Sequence, residues 1–194
     1  MSRERTIVFE TPRLVVRLAS EADAELFLSL WTSPQVMSNV GFPNGLPITR
    51  EEIVAQLRAR GPSEFEHRLV IELQDSGEAI GECFMRRPNE QGMAETDIKL
   101  LPAFWGKKYG VEVKRALVDH LFTHTDCTAV EASPNVDNVA SIKMQEAVGG
   151  VRVGEGTFEF PESMRAFTTP VHAYVYRVYR DTWERLHAEE PANG

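Results

Sequence analysis

The chain is short of the features that mark several large classes of protein. It has two cysteines, Cys83 and Cys127, far apart and outside any metal-ligand spacing, which argues against a disulfide scaffold and a cysteine-based metal site. No apolar run approaches the ~20 residues of a membrane span. The opening Met1-Ser2-Arg3-Glu4-Arg5 carries no signal-peptide hydrophobic segment, so a soluble cytoplasmic protein with no membrane partner is expected. Basic residues are scarce: 21 Lys and Arg against 29 Asp and Glu leave a formal charge of −8, the wrong sign for gripping a phosphate backbone. Nucleic acid is therefore not an expected partner, and no repeat or low-complexity segment is visible. With 42% hydrophobic residues among 194, the chain can bury one core. One domain over residues 1–183, followed by a polar tail at 184–194, is the expected organisation.

Against these absences one stretch stands out. Leu101-Pro102-Ala103-Phe104-Trp105-Gly106-Lys107-Lys108-Tyr109-Gly110-Val111-Glu112 joins a strand-like segment to an amphipathic helix through a short basic turn. Val113, Lys114, Leu117, Val118, Leu121 and Phe122 recur at the spacing of one helical face. The first turn of a helix leaves four N–H groups unpaired at the positive end of its dipole. The turn is therefore suited to a pyrophosphate, with Lys107 and Lys108 as mobile cations. Spacing rejects two nucleotide motifs: Lys108 stands where a P-loop needs Ser or Thr, and Gly106-x-x-x-Gly110 is not the dinucleotide fingerprint.

Elsewhere, residues 13–18 alternate weakly as a strand, and Ser20 with Glu21 and Asp23 opens a helix running into Trp31. Thr49-x-x-Glu52 has the form of a capping box for a second helix to about residue 60. The loop at 38–49, rich in Gly, Pro and Asn, reads as an unpacked flap that admits a substrate. Strands are predicted at 68–73 and 79–86, joined by the hairpin signal Asp75-Ser76-Gly77-Glu78, and at 95–101, 129–132, 151–158 and 171–180. A helix over 138–148 stops at Gly149-Gly150. This order, β-α-α-β-β-β-α-β-α-β-β, gives an α/β (α+β) fold with a mixed central sheet of about seven strands and helices on both faces.

The basic turn resembles the acetyl-CoA pyrophosphate loop of the GNAT superfamily of N-acetyltransferases, in particular its RimJ/RimL-like branch, the ribosomal-protein N-terminal acetyltransferases. That branch reads P-x-x-W-G-x-G-Y-A-x-E, here Pro102-x-x-Trp105-Gly106-x-Lys108-Tyr109-Gly110-x-Glu112. The likeness continues in Thr11-Pro12-Arg13-Leu14-x-x-Arg17, in Leu30-Trp31-x-x-Pro34-x-Val36-Met37, in Ile80-Gly81 and in Glu95. It closes with Asn135-x-x-Asn138-x-x-Ser141-x-x-Met144-x-Glu146-x-x-Gly149 and with Tyr176 and Trp183 as the closing strand's Y-x6-W. It implies acetyl-CoA as cosubstrate, no metal, and a thioester lying where two strands splay apart, here those near 95–101 and 129–132. The implied cofactor-binding residues are Leu100, Trp105, Gly106, Lys107, Lys108, Tyr109, Gly110, Asn138 and Ser141. Lys108 replaces the loop's second glycine, Gly150 a phenylalanine, and Gln145 a tyrosine that donates a proton to the leaving thiolate in many members.

The implied reaction is direct attack of an amine on the thioester. A lysine-type amine is about 0.04% neutral at pH 7 and an α-amine about 10%, so an α-amine needs only a weak base. Glu95 and Asp97 share one face of a strand, with Glu82 on its neighbour, and Glu95 is the expected catalytic carboxylate because it alone matches a family position. Each could equally be a solvated surface residue. Ser141 is the candidate to steady the sulfur, while Asn138 capping the helix with Ser141 in its first turn explains both residues without a ligand. His120 and His124 lack a third ligand at motif spacing, the cysteines read as small buried hydrophobes, and Phe104 and Trp105 as anchors of the loop in the core. The acceptor is a protein N-terminal amine or a small amine, and a homodimer is left open. The alternative, motivated by Lys108 and Gln145, is a CoA-binding regulatory or interaction domain with little turnover.

Overall fold

The computed structural model describes residues 6–59, 61 and 63–189. In chain order the elements are β1 (Ile7–Glu10), β2 (Leu14–Leu18), α1 (Ala24–Trp31), α2 (Pro34–Met37), α3 (Arg50–Arg58), β3 (Leu69–Leu73), β4 (Ala79–Met85) and β5 (Met93–Leu100). After these come α4 (Tyr109–His124), β6 (Ala129–Ala132), α5 (Val139–Ala147), β7 (Val151–Phe158), β8 (Val171–Tyr179) and α6 (Arg180–Glu189). The strands form one sheet in the order β1-β2-β3-β4-β5-β6-β8-β7, antiparallel except for β5 with β6.

Alternation along the strands separates two cores. Leu14, Val16, Leu69, Ile71, Cys83, Met85 and Ala94 pack against Val113, Leu117, Val118 and Leu121 of α4. On the opposite face Val70 meets Phe27, Leu30, Trp31, Ile53 and Leu57 of α1 and α3. The capping box forms as its spacing requires, with Glu52 N–H donating to Thr49 Oγ1 and Thr49 N–H to Glu52 Oε2. At the other end of α5, Gly149 N–H donates to the Glu146 carbonyl and Gly150 N–H to that of Gln145, a Schellman stop.

One junction positions the site. β5 and β6 pair only through Met93–Ala129, Ala94–Val130 and Glu95–Glu131. β5 then runs on to Leu100 beside β4 alone, while β6 continues beside β8. A wedge therefore opens after Glu95, and its wide end leads to the turn before α4.

Four readings of the sequence are corrected. β1 is an eighth strand, too short and too exposed to signal by alternation. The segment from residue 184 continues α6 as far as Glu189, held by Trp183, whose indole donates to Asp119 and whose ring lies 5.4 Å from that of Phe122. Trp183 thus sits on a helix and not on the closing strand, while residues 190–194 lie outside the described residues. Residue 60, the expected end of the second helix, also lies outside them, and α3 ends at Arg58. Loop 38–49 is no open flap: Phe42 packs against Phe160 and Phe167, and Gly41 accepts from Thr169 N–H. Gly41 has φ +93°, and a Cβ there would lie 2.4 Å from the Phe160 ring.

Candidate active site

Leu100 ends β5, and its carbonyl accepts from the Trp105 indole at 2.8 Å, which fixes the turn from its first residue. Phe104 packs on the core, whereas Trp105 is 47% exposed, so only the first of the two aromatics anchors the turn by burial. Gly106 follows with φ +75°, and then Lys108 with φ +64°, the one non-glycine residue in the left-handed region among the described residues. The family's glycine is thus replaced where backbone sterics favour glycine, yet the backbone path survives.

The consequence is a row of donors. Among the described residues, none of the backbone N–H groups of Gly106, Lys107, Lys108, Tyr109, Gly110 and Val111 donates to a protein acceptor, and Glu112 N–H, bonded to the Lys108 carbonyl, is the first that does. Six consecutive free amides at the start of a sixteen-residue helix, with αL geometry in their midst, form a nest of the kind that suits an anion. Lys107 and Lys108 are exposed, the Lys107 ammonium lying 5.0 Å from the centre of the Phe104 ring.

A clasp holds this nest from the far end of the sheet. Thr11 Oγ1 donates to Glu112 Oε1 at 2.6 Å, Arg13 Nε to Glu112 Oε2 at 2.7 Å, and Arg13 Nη1 to the Lys107 carbonyl at 3.2 Å. The Arg13 guanidinium also lies 4.6 Å above the Tyr109 ring. Burial pushes the Glu112 carboxyl up, but the hydrogen bonds from Thr11 and Arg13 outweigh it and hold its pKa below the usual range. Both halves of the clasp are visible in the sequence; that they meet is not.

Gly110 turns toward α5: a Cβ there would lie 3.2 Å from Met144 Sδ. Ser141, three residues before Met144, shares that face of α5. Asn138 caps α5 by accepting from Ser141 N–H at 3.1 Å, so capping is realised, and the Ser141 hydroxyl has no protein partner among the described residues. Gln145 is buried one turn on, and the Tyr176 hydroxyl donates to Glu146 at 3.0 Å.

The carboxylates divide along β5. Glu95 belongs to the last pair before the wedge, is 54% exposed, and stands 3.7 Å from Arg86. Asp97 lies beyond that pair, beside the wedge, and is ion-paired with Lys99. Burial pushes Asp97 up, and the charge and hydrogen bond of Lys99 overcome it, leaving the carboxyl below its usual range. Glu82 is buried, with the Trp31 indole at 2.6 Å. On the α4 side, Lys114 is fully buried and donates to Thr96 Oγ1 at 2.6 Å. Burial lowers its pKa to about 7, the charge of Asp97 opposing only in part. No group of three or more His, Cys, Asp or Glu among the described residues could hold a metal, and no helix among them is long and apolar enough to cross a membrane.

A mixed sheet that splays at one parallel pair, with an anion nest at the wide end of the wedge, defines a CoA-dependent acyltransferase architecture. Residues 13–151 match the acetyltransferase (GNAT) domain, and the chain belongs to that family. It is an N-acetyltransferase, with acetyl-CoA as cosubstrate. It is 26% identical over 149 residues to the uncharacterized N-acetyltransferase p20 of Bacillus licheniformis, covering 74% of this chain and 82% of that protein. Its fold is similar to that of spermidine N-acetyltransferase from Vibrio cholerae, solved in complex with CoA and spermine (TM-score 0.73, 20% identity, 90% and 99% of the two chains). AAC(6')-Ib, solved with ribostamycin and coenzyme A, is similar as well (TM-score 0.69, 21% identity, 91% and 98%).

Proposed function

We propose that this protein transfers the acetyl group of acetyl-CoA to a small or N-terminal α-amine by direct attack, in the manner of the ribosomal-protein (RimJ/RimL-like) branch. The observation that carries this reading is the row of six unpaired amides at the mouth of the wedge. Donors in that array fit a pyrophosphate and leave the pantetheine arm to run along the unpaired edge of β5. The Leu100 carbonyl and Trp105 hold the loop, Lys107 and Lys108 add accessory charge, and Tyr109 and Gly110 set the first turn. In the reaction the amine nitrogen bonds to the acetyl carbon and the C–S bond breaks with its electron pair going to sulfur. The proton shed by nitrogen passes through water to bulk solvent, and the thiolate takes another from solvent. Ser141, with its free hydroxyl, steadies the departing sulfur while Asn138 fixes its backbone. Glu95 or Asp97 attracts the incoming ammonium and holds that water. A cytoplasmic setting supplies the acetyl-CoA this reading needs.

The reading in which CoA binds without turnover is separated by acceptor-dependent thiol release across a panel of amines. Glu95→Gln and Asp97→Asn are compared at pH 7 and 9. The carboxylate that serves the amine loses about tenfold or more at pH 7 when neutralised, and less at pH 9, where the amine is already more neutral. Equal losses at both pH values would assign that carboxylate to structure alone.

A homodimer is supported by β7, an edge strand exposed along its whole length, with Val151, Val153 and Phe158 open to solvent. Light scattering at micromolar concentration tests it, and a monomer mass would remove it.

A further inference from the structure

On the sheet face that carries α1 and α3, Lys99 extends from the half of β5 that pairs with β4 alone into a space bounded by two carboxylates. It is ion-paired with Asp97, and its Nζ lies 3.8 Å from Glu82 Oε1, the residue opposite it on β4. The three side chains grade from wedge to interior, Asp97 35% exposed, Lys99 11% and Glu82 1%. Beyond Glu82 stands Arg68, its Nη1 3.5 Å from Glu82 Oε2 and its guanidinium 4.8 Å from the centre of the Phe84 ring and 5.4 Å from that of Trp31. Two carboxylates and two cations thus close on themselves with no charge left over. An alkylammonium between two carboxylates is also the arrangement a substrate ammonium would seek.

We propose that Lys99 is a specificity-determining residue: its ammonium occupies the place between Asp97 and Glu82 that a second ammonium of the acceptor would otherwise take, so the site accepts monoamines of the α-amino type and disfavours polyamines and other polycations. This rests on the acetyltransferase reading and names its substrate class. An α-amine that has lost its proton brings no charge to this neighbourhood. A polyamine brings at least one further ammonium, which meets Lys99 and Arg68 at short range, where the two carboxylates beside them, Asp97 and Glu82, are already ion-paired. The acidity of the whole chain draws cations to its surface, but discrimination is set where the charges are desolvated.

The test compares wild type, Lys99→Met, Lys99→Gln and Lys99→Arg, with circular dichroism to establish folding. The acceptors are spermidine and a C-terminally amidated trialanine with a free N-terminus. Wild type is expected to favour the peptide in kcat/KM by about tenfold or more. Lys99→Met, or Lys99→Gln should the first not fold, moves the ratio toward spermidine by at least about tenfold, mainly through KM. Lys99→Arg retains the wild-type preference, which a purely structural lysine would not require. A wild-type preference for spermidine, or an unchanged ratio in folded Lys99→Met and Lys99→Gln, overturns the proposal. Calorimetric titration of spermidine into the CoA-saturated proteins reads the same effect without turnover: binding at least about tenfold tighter in the neutral variants supports it, and equal binding overturns it. Absence of thiol release from wild type with either acceptor, while CoA binds, would count against the acetyltransferase reading and leave the titration to decide this one.

Discussion

Lys114 concentrates the energetics of a single residue. Helical spacing counts it into the buried face of α4, and it is buried there, with the Thr96 hydroxyl as its hydrogen-bond acceptor. Its pKa falls from 10.5 to about 7, so between those values the unfolded chain binds a proton that the folded chain has released. Stability therefore rises with pH from about 7 to 10.5, and below 7 the folded protein carries the full cost of the buried charge. At ~1.36 kcal/mol per unit the ceiling is about 5 kcal/mol, which relaxation reduces. Lys114→Met is expected to stabilise by about 2–4 kcal/mol at pH 6 and by progressively less toward pH 10. Urea melts across that range check it, and a gain independent of pH would contradict it. Lys99 was harder to read. Alternation along β5 groups it with Glu95 and Asp97, but its second carboxylate, Glu82, enters only through the β4–β5 register, which no local pattern specifies.

At the scale of elements, the turn before α4 was the most legible part of the chain because its chemistry is local: a helix start, two lysines and glycines at fixed offsets. Its conformation explains the odd residue. Lys108 in αL geometry costs on the order of 1 kcal/mol, partly offset by the greater freedom glycine has when unfolded. Lys108→Gly is therefore expected to leave stability unchanged or raise it by up to ~1 kcal/mol, and to alter CoA affinity by less than about tenfold. Lys108→Val, β-branched at positive φ, should destabilise by more than ~1 kcal/mol. Chemical denaturation with CoA titration decides, and Val tolerated as well as Gly would contradict the assigned backbone. Elements that depend on distant partners were not legible. Loop 38–49 is packed by Phe160 and Phe167, more than a hundred residues away, and α6 is held by Asp119 and Phe122 of α4. In isolation the loop reads as Gly, Pro and Asn punctuation around scattered apolar residues, and α6 as a mostly charged segment, so neither shows which partner it packs on.

For the whole molecule, the wedge matters more than any side chain. Its position follows from an arithmetic of strand lengths, since β5 has eight residues and β6 four, and only three pairs form before the two diverge. The sequence reading matches β6 at 129–132 but starts β5 two residues late, at 95, and so misses Met93 and Ala94 of the three pairs; that the strands part is what the resemblance implies. The clasp of Thr11 and Arg13 on Glu112 then ties the opening strand of the sheet to the helix that closes its central gap, so the nest is held by contacts about a hundred residues apart in the chain. The central claim is that the amides of residues 106–111 receive the pyrophosphate of CoA. Hydrogen exchange of the backbone, with and without saturating CoA, measures it directly. Protection is expected to be concentrated on Gly106 to Val111, well beyond any general slowing across the sheet. CoA binding that leaves those amides exchanging as in the free protein would contradict the account.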